Sequence, residues 1–257
     1  MKEKEASQAE LREEIARLKK EKNALIMAHY YQRDEIQEIA DFIGDSLALA
    51  RKASETDADI ILMCGVHFMG ETAKILCPDK KVLVPDLGAG CSLADSCPAD
   101  EFAAFVAAHP GYTVVSYVNT TAAVKAHTDI VVTSGNARKV IDSLPADEKI
   151  IFGPDRNLGS YINSVTGRDM LLWNGACHVH DRFSLEGIRK MKEEHPRAKV
   201  LVHPECRRQL QLIADKVGST AALLDFARND EAREYIVVTE SGILFEMRRK
   251  CPDKVFL

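Results

Sequence analysis

Hydrophobic positions in this chain switch repeatedly between a helical period and short unbroken runs. Leu11, Ile15 and Leu18 recur at i, i+4, i+7 among charges, which predicts an amphipathic N-terminal helix. The apolar run Ala24–Ala28 follows and ends in His29-Tyr30-Tyr31. Ile36, Ile39, Ala40 and Ile43 form a helical stripe closed by Gly44. Asp45-Ser46 then has the character of an N-cap for a helix carrying Leu47 and Leu49. Ile60–Met63 predicts a strand, Phe68–Leu76 a helix and Val82–Val84 another strand, the pattern of a small parallel sheet.

The pattern restarts at Thr113–Tyr117 and continues through Ala122–Ala126, the strand Ile130–Thr133, the helix Ala137–Leu144 and the strand Lys149–Phe152. A longer loop is expected from Pro154 to Ala176. A third start at Lys199–His203 leads to helices near Leu210–Ala214 and Thr220–Ala227, the strand Tyr235–Thr239 and the helix Ile243–Lys250. The three opening strands end at positions 29, 117 and 203, steps of 88 and 86. Three α/β units of similar length are therefore expected, spanning 1–107, 108–182 and 183–257.

Self-similarity sharpens this picture. Cys-Pro-Asp-Lys occurs at Cys77–Lys80 and again at Cys251–Lys254, an offset of 174 that also relates His29 to His203 and Ser46 to Thr220. The first copy runs on to Cys91, whereas the second stops at Val255-Phe256-Leu257. The third unit is thus expected to be incomplete, with a counterpart of Cys91 roughly eight residues beyond Leu257.

Composition narrows the classes. A net charge of −5 argues against a nucleic-acid or anionic-membrane partner, and no apolar run reaches a membrane span. The start MKEKEASQAELREE is too charged for a signal peptide. Seven cysteines without a regular spacing suit a reducing, cytoplasmic setting, where thiols are free to bind metal.

Parallel sheets bind ligands at the carboxyl ends of their strands. Those ends carry His29 and Tyr31, Tyr117 and Asn119, and His203 and Glu205, each pair two residues apart and so facing one way. Ser46, Ser134 and Thr220 each follow such an end by 17 residues, just before a helix start suited to an anion. Ser46 and Thr220 look equivalent, whereas Ser134 follows its strand directly, so part of its matching spacing is read as coincidence. Cys64 and Cys77 read as buried fillers, and Cys97 as a neighbour of a ligand. Cys91 and Cys177 each follow a glycine-containing approach to the end of a third strand and are the candidate metal ligands. Cys177, His178 and His180 alone would also suit zinc, as in a zinc-dependent hydrolase.

The motifs together resemble one family, quinolinate synthase: HYYQ at 29–32, ADFIGDSL at 40–47, FMGETAKIL at 68–76, GAGCSLADSCP at 88–98, YVNTTAAVKAHTD at 117–129, VTSGNA at 132–137, FGPDRNLG at 152–159, NGACHVH at 174–180 and HPEC at 203–206. The resemblance implies three small Rossmann-like parallel-sheet domains around a pseudo-threefold axis with a central [4Fe–4S] cluster. It implies condensation of iminoaspartate with dihydroxyacetone phosphate to quinolinate, phosphate and two waters, in the cytoplasm, beside an enzyme that supplies iminoaspartate. By the same resemblance Cys91 and Cys177 are two of three cluster ligands, and Tyr31, Tyr117, Asn119 and Glu205 are catalytic. His29, Ser46, Ser134, His203 and Thr220 contact substrate carboxylate or phosphate. Two departures stand out: Gly70 replaces an alanine usual in the family, which is expected to loosen its helix, and the segment bearing the third ligand is not in this chain. An inactive or cluster-deficient fragment is the alternative expectation.

Overall fold

The computed structural model describes residues 7–257. The charged N-terminal stretch weighed against a signal peptide begins in residues 1–6, outside the described residues. Helix α1 (Gln8–Glu21) opens on a reciprocal cap: Glu10 N–H donates to Ser7 Oγ and Ser7 N–H to the Glu10 carboxylate.

The first sheet is built from β1 (Ala24–His29), β2 (Phe42–Gly44), β3 (Ile60–Cys64) and β4 (Lys81–Leu83), connected by α2 (Asp34–Ile39), α3 (Ser46–Glu55) and α4 (His67–Leu76). Helices α5 (Ser92–Asp95) and α6 (Ala99–Ala107) lead to the second sheet. That sheet holds β5 (Thr113–Tyr117), β6 (Ile130–Val132), β7 (Ile150–Gly153) and β8 (Leu171–Leu172), with α7 (Ala122–Lys125), α8 (Ala137–Ser143) and α9 (Arg156–Thr166) between them. After α10 (His178–Asp181) and α11 (Leu185–Glu194) come β9 (Lys199–Val202), α12 (Arg208–Leu212), β10 (Lys216–Val217), α13 (Thr220–Asn229), β11 (Glu234–Val238), α14 (Ile243–Lys250) and β12 (Val255–Phe256). All three sheets are parallel and share one order: β2-β1-β3-β4, β6-β5-β7-β8 and β10-β9-β11-β12.

Two expectations are corrected. The stripe through Ile43 is not one helix: α2 ends at Ile39, and Ile43 and Gly44 lie in β2. Of the four stripe residues, Ile36 and Ala40 pack on the apolar cluster under β1. The expected loop from Pro154 to Ala176 holds α9 and β8, so the second unit is as regular as the others. Gly159 hides this helix from a propensity reading, yet a Cβ there would lie 2.6 Å from Leu172 Cδ2, so β8 requires the glycine.

Repeated polar ties show how deep the equivalence runs. Asp41, Asp129 and Asp215 each accept from a backbone N–H in the middle of the opening strand, Ile26, Val114 and Val200, at 2.9, 2.8 and 2.7 Å. The tetrad lysines have a structural task. Lys80 donates to Ala58 O, Lys254 to Ala227 O and Asp230 O, and Arg168 at the corresponding place to Ile141 O and Leu144 O. Each neutralises orphan carbonyls at the end of the second helix or just beyond it. Cys77 and Cys251 of the same tetrads are buried, and Cys77 donates to Ala53 O, in keeping with packing residues.

Candidate active site

In each sheet the first strand is flanked by the second on one side and the third on the other, so the crevice at the carboxyl ends lies where the order reverses. The three crevices open onto one cavity of about 290 Å³. The six strand-end groups, His29, Tyr31, Tyr117, Asn119, His203 and Glu205, all line it. So do Ser46, Ser134 and Thr220, and both Cys91 and Cys177. The spacing of Ser134 is no coincidence: all three follow a second strand, Ser46 and Thr220 as the first residues of α3 and α13 and Ser134 three residues before α8.

Local backbone contacts orient these groups. Tyr31 N–H donates to His29 Nδ1 at 3.2 Å and Glu205 N–H to His203 Nδ1 at 3.3 Å, one device used in two units. Each contact places the proton of the neutral ring on Nε2. Burial pulls His29 down to about 4 and His203 to about 3, so both are neutral near pH 7.

Glu205 is the centre of the polar network. Its carboxylate accepts from Tyr117 OH at 2.6 Å and lies 3.1 Å from His180 Nδ1. Burial pushes the carboxyl up, but the facing imidazoles and the Tyr117 hydroxyl outweigh burial and hold it well below the usual range. Burial and the Glu205 charge in turn push the Tyr117 phenol far up. Tyr31 OH sits between Thr220 Oγ1 at 2.8 Å and Thr239 Oγ1 at 2.7 Å, and burial raises its phenol too.

The thiols share a second motif. Burial raises both thiols, and it is offset only in part by the backbone N–H groups of Leu93 and Ala94 near the Cys91 sulfur and of Val179 and His180 near that of Cys177. His178 N–H donates to Ser92 Oγ at 3.4 Å and ties the two cysteine loops together. Asp155, fully buried, accepts from Cys177 N–H at 3.1 Å and Leu158 N–H at 2.6 Å, fixing the Cys177 loop to α9. Cys177, His180 and Glu205 place one donor atom each within 4.8 Å of one another, a set able to hold a metal ion. The zinc trio of Cys177, His178 and His180 is not formed, because His178 turns to the exposed side of α10. Cys97 packs with Phe102 outside the cavity.

Asn119 Oδ1 is buried without a hydrogen-bond partner. An acceptor left open at the wall of a cavity calls for a donor on a ligand. Three groups escaped the reading of the opening strands. His180 stands one helical turn after Cys177, Thr239 joins Tyr31 to His180 (2.8 Å to Nε2), and Glu240 lines the cavity beside it. Applying the strand-end rule to the third strands β3, β7 and β11 finds Thr239 directly, whereas Cys91 and Cys177, expected at the end of a third strand, follow the fourth strands β4 and β8.

Three equivalent sheets, a shared cavity at their carboxyl ends and a thiol–imidazole–carboxylate wall define an α/β enzyme with a metal-capable centre. The profile of the quinolinate synthetase A protein family matches residues 13–257. The chain is 56% identical over 248 residues to a quinolinate synthase of Trichodesmium erythraeum (strain IMS101), covering 96% of this chain and 77% of that protein. It is 54% identical over 252 residues to one of Prochlorococcus marinus (strain MIT 9303), covering 98% and 76%. Against the quinolinate synthase of Chloroherpeton thalassium (strain ATCC 35110 / GB-78) it is 53% identical over 251 residues, covering 98% and 78%. The chain belongs to the quinolinate synthase family.

Among the described residues no helix is long and apolar enough to cross a membrane. The glycine that departs from the family pattern is a packing feature: a Cβ on Gly70 would lie 2.6 Å from Val84 Cγ1, so the close approach of α4 to the end of β4 depends on it.

Proposed function

We propose that the chain condenses iminoaspartate with dihydroxyacetone phosphate, releasing quinolinate, phosphate and two waters. The observation that carries this reading is the buried Tyr117–Glu205 hydrogen bond of 2.6 Å, set in a cavity walled by two thiols. A carboxylate hydrogen-bonded to a phenol sets a proton acceptor and a proton donor side by side for the proton movements of an imine condensation. Asn119, with its open acceptor, would take a hydrogen bond from a substrate amine or hydroxyl. The neutral imidazoles of His29 and His203, with the hydroxyls of Ser46, Ser134 and Thr220, would bind carboxylate and phosphate oxygens through donors rather than charges. Tyr31, joined to Thr220, is the second candidate acid.

The backbone N–H groups near the two sulfurs suit thiolates bound to an iron–sulfur group, and Cys91 and Cys177 would supply two of the ligands of a [4Fe–4S] cluster here. Bound there, the cluster would lend Lewis acidity to a substrate oxygen without net redox change. The imine substrate hydrolyses readily, so an enzyme that oxidises aspartate is the expected supplier.

The test is anaerobic purification followed by iron analysis and a quinolinate assay. Brown iron–sulfur absorption and quinolinate formation are expected, with the cluster absorption lost in Cys91→Ala and Cys177→Ala and kept in Cys251→Ala. A full cluster in either of the first two variants overturns the ligand assignment. Absence of quinolinate from protein with its full iron complement overturns the activity.

A further inference from the structure

Eight residues after each opening strand end stands a side chain with the same task. Gln37 Nε2 donates to Tyr30 O at 3.1 Å and Gln32 O at 2.7 Å. Gln211 Nε2 donates to Pro204 O at 2.9 Å and Cys206 O at 2.7 Å. Lys125 Nζ, in the same place of the second unit, donates to Val118 O at 2.9 Å and to Thr120 O. In all three the carbonyls held are those before and after the second strand-end group, Tyr31, Asn119 or Glu205.

Two of these side chains, Gln37 and Lys125, also reach the next unit at a matching place. Gln37 Nε2 also donates to Gly242 O at 2.9 Å, and Lys125 Nζ lies 5.5 Å from the ring centre of Phe68, which occupies the corresponding start of α4 and lines the cavity. Lys125 has no carboxylate within ion-pair distance among the described residues. Glu71 acts on it through space, and its carboxylate accepts from Ala122 N–H at the start of α7. Burial draws the lysine down to about 8 against the charge of Glu71, and the two carbonyls and the ring are what the ammonium touches.

We propose that Lys125 is a positioning residue for the reaction, clamping the Val118–Thr120 turn so that Tyr117 and Asn119 face the substrate. This rests on the activity proposed above. It makes glutamine a sufficient replacement, since glutamine does the same work at 37 and 211.

The test compares Lys125→Met and Lys125→Gln in the iron-loaded protein by steady-state kinetics, thermal unfolding and amide hydrogen exchange. Lys125→Met is expected to lose about 10- to 100-fold in kcat, with KM changed much less. Its amides at 117–121 should exchange about tenfold faster while those of β9 and β11 stay as in wild type. Lys125→Gln is expected to keep kcat within about threefold and to keep slow exchange. Unchanged kcat and exchange in Lys125→Met overturn the proposal. So does a Lys125→Gln as impaired as Lys125→Met, because the charge and not the clamp would then matter. Should Lys125→Met fail to fold, fast exchange at 117–121 in a folded Lys125→Gln overturns the clamp and slow exchange supports it. Absence of quinolinate from the wild type would instead defeat the reading of function, while exchange at 117–121 still decides the clamp.

Discussion

The first two sheets are joined by different material from that which joins either of them to the third. One apolar cluster runs from Met27, Ile61 and Phe68 of the first unit into Val115, Tyr117 and Phe152 of the second. The third unit keeps separate clusters around Leu223 and Tyr235 and around Val200 and Ile236, and only Tyr30 and Tyr31 of the first sheet lean on them. Its seams are polar: Tyr31 OH to Thr220 and Thr239, His180 to Thr239, and Asn157 Nδ2 to Glu205 O at 3.0 Å. Nonpolar area fuses units without regard to direction, whereas hydrogen bonds set angles. The apolar joint supplies mass and the polar seams aim the reacting groups.

The contrast predicts that a polar change at the third unit's seam costs activity out of proportion to stability. Glu205→Gln keeps the size of the side chain and removes the carboxylate, so quinolinate formation should fall about 10²–10⁴-fold with iron content retained. Activity within a few-fold of wild type would reduce Glu205 to a spacer. A steric change at the same seam should act on both. A Cβ at Gly242 would sit 2.7 Å from Tyr30 O and Tyr31 Cα, backbone that cannot swing away. Gly242→Val should therefore destabilise by about 1–3 kcal/mol and release the third unit to proteolysis before the first two. Uniform cleavage across all three units would show that the apolar and polar joints are of equal strength.

Acid should search out the polar side as well. His29 titrates near 6.5 when unfolded and is held at about 4 by burial in the fold, so between these values the unfolded chain binds the extra proton. Its contribution is thus full above about pH 6.5, declines towards pH 4 and is flat below. The denaturation midpoint of the wild type should fall across this window, and His29→Gln should flatten the fall; identical pH profiles would refute the assignment. The smallest effect is expected on the apolar side. Gly70→Ala gains up to about 1 kcal/mol of helix propensity but presses on Val84, so alone it should be neutral or mildly destabilising. Combined with Val84→Ala it should recover the gain, and a stabilising single variant would mean that Val84 yields freely.

Much of this was legible in the chain. The opening strands, the step between units and eleven of the residues on the cavity wall followed from strand ends, glycine-containing approaches and repetition. The second half of the second unit did not. Two-residue strands such as Leu171–Leu172 and Lys216–Val217 are too short to display a period. Gly159 lowered the helical score of α9 for a reason of packing that only the third dimension supplies. Asp155 and Thr239 act through contacts 22 and 208 residues away, to Cys177 and Tyr31, and no local pattern announces such pairs.

Tyr31, Asn119 and Glu205 occupy one structural place three times over, and this has an ancestral consequence. A symmetric assembly of three separate copies would present the same side chain from every direction. Three buried glutamates facing one cavity of about 290 Å³ would repel and take up protons, and three tyrosines would offer no carboxylate at all. Fusion into one polypeptide freed each copy to mutate alone. The cavity could then become chemically lopsided while the scaffold around it stayed symmetric, and a lopsided cavity is what the proposed pair of unlike substrates demands.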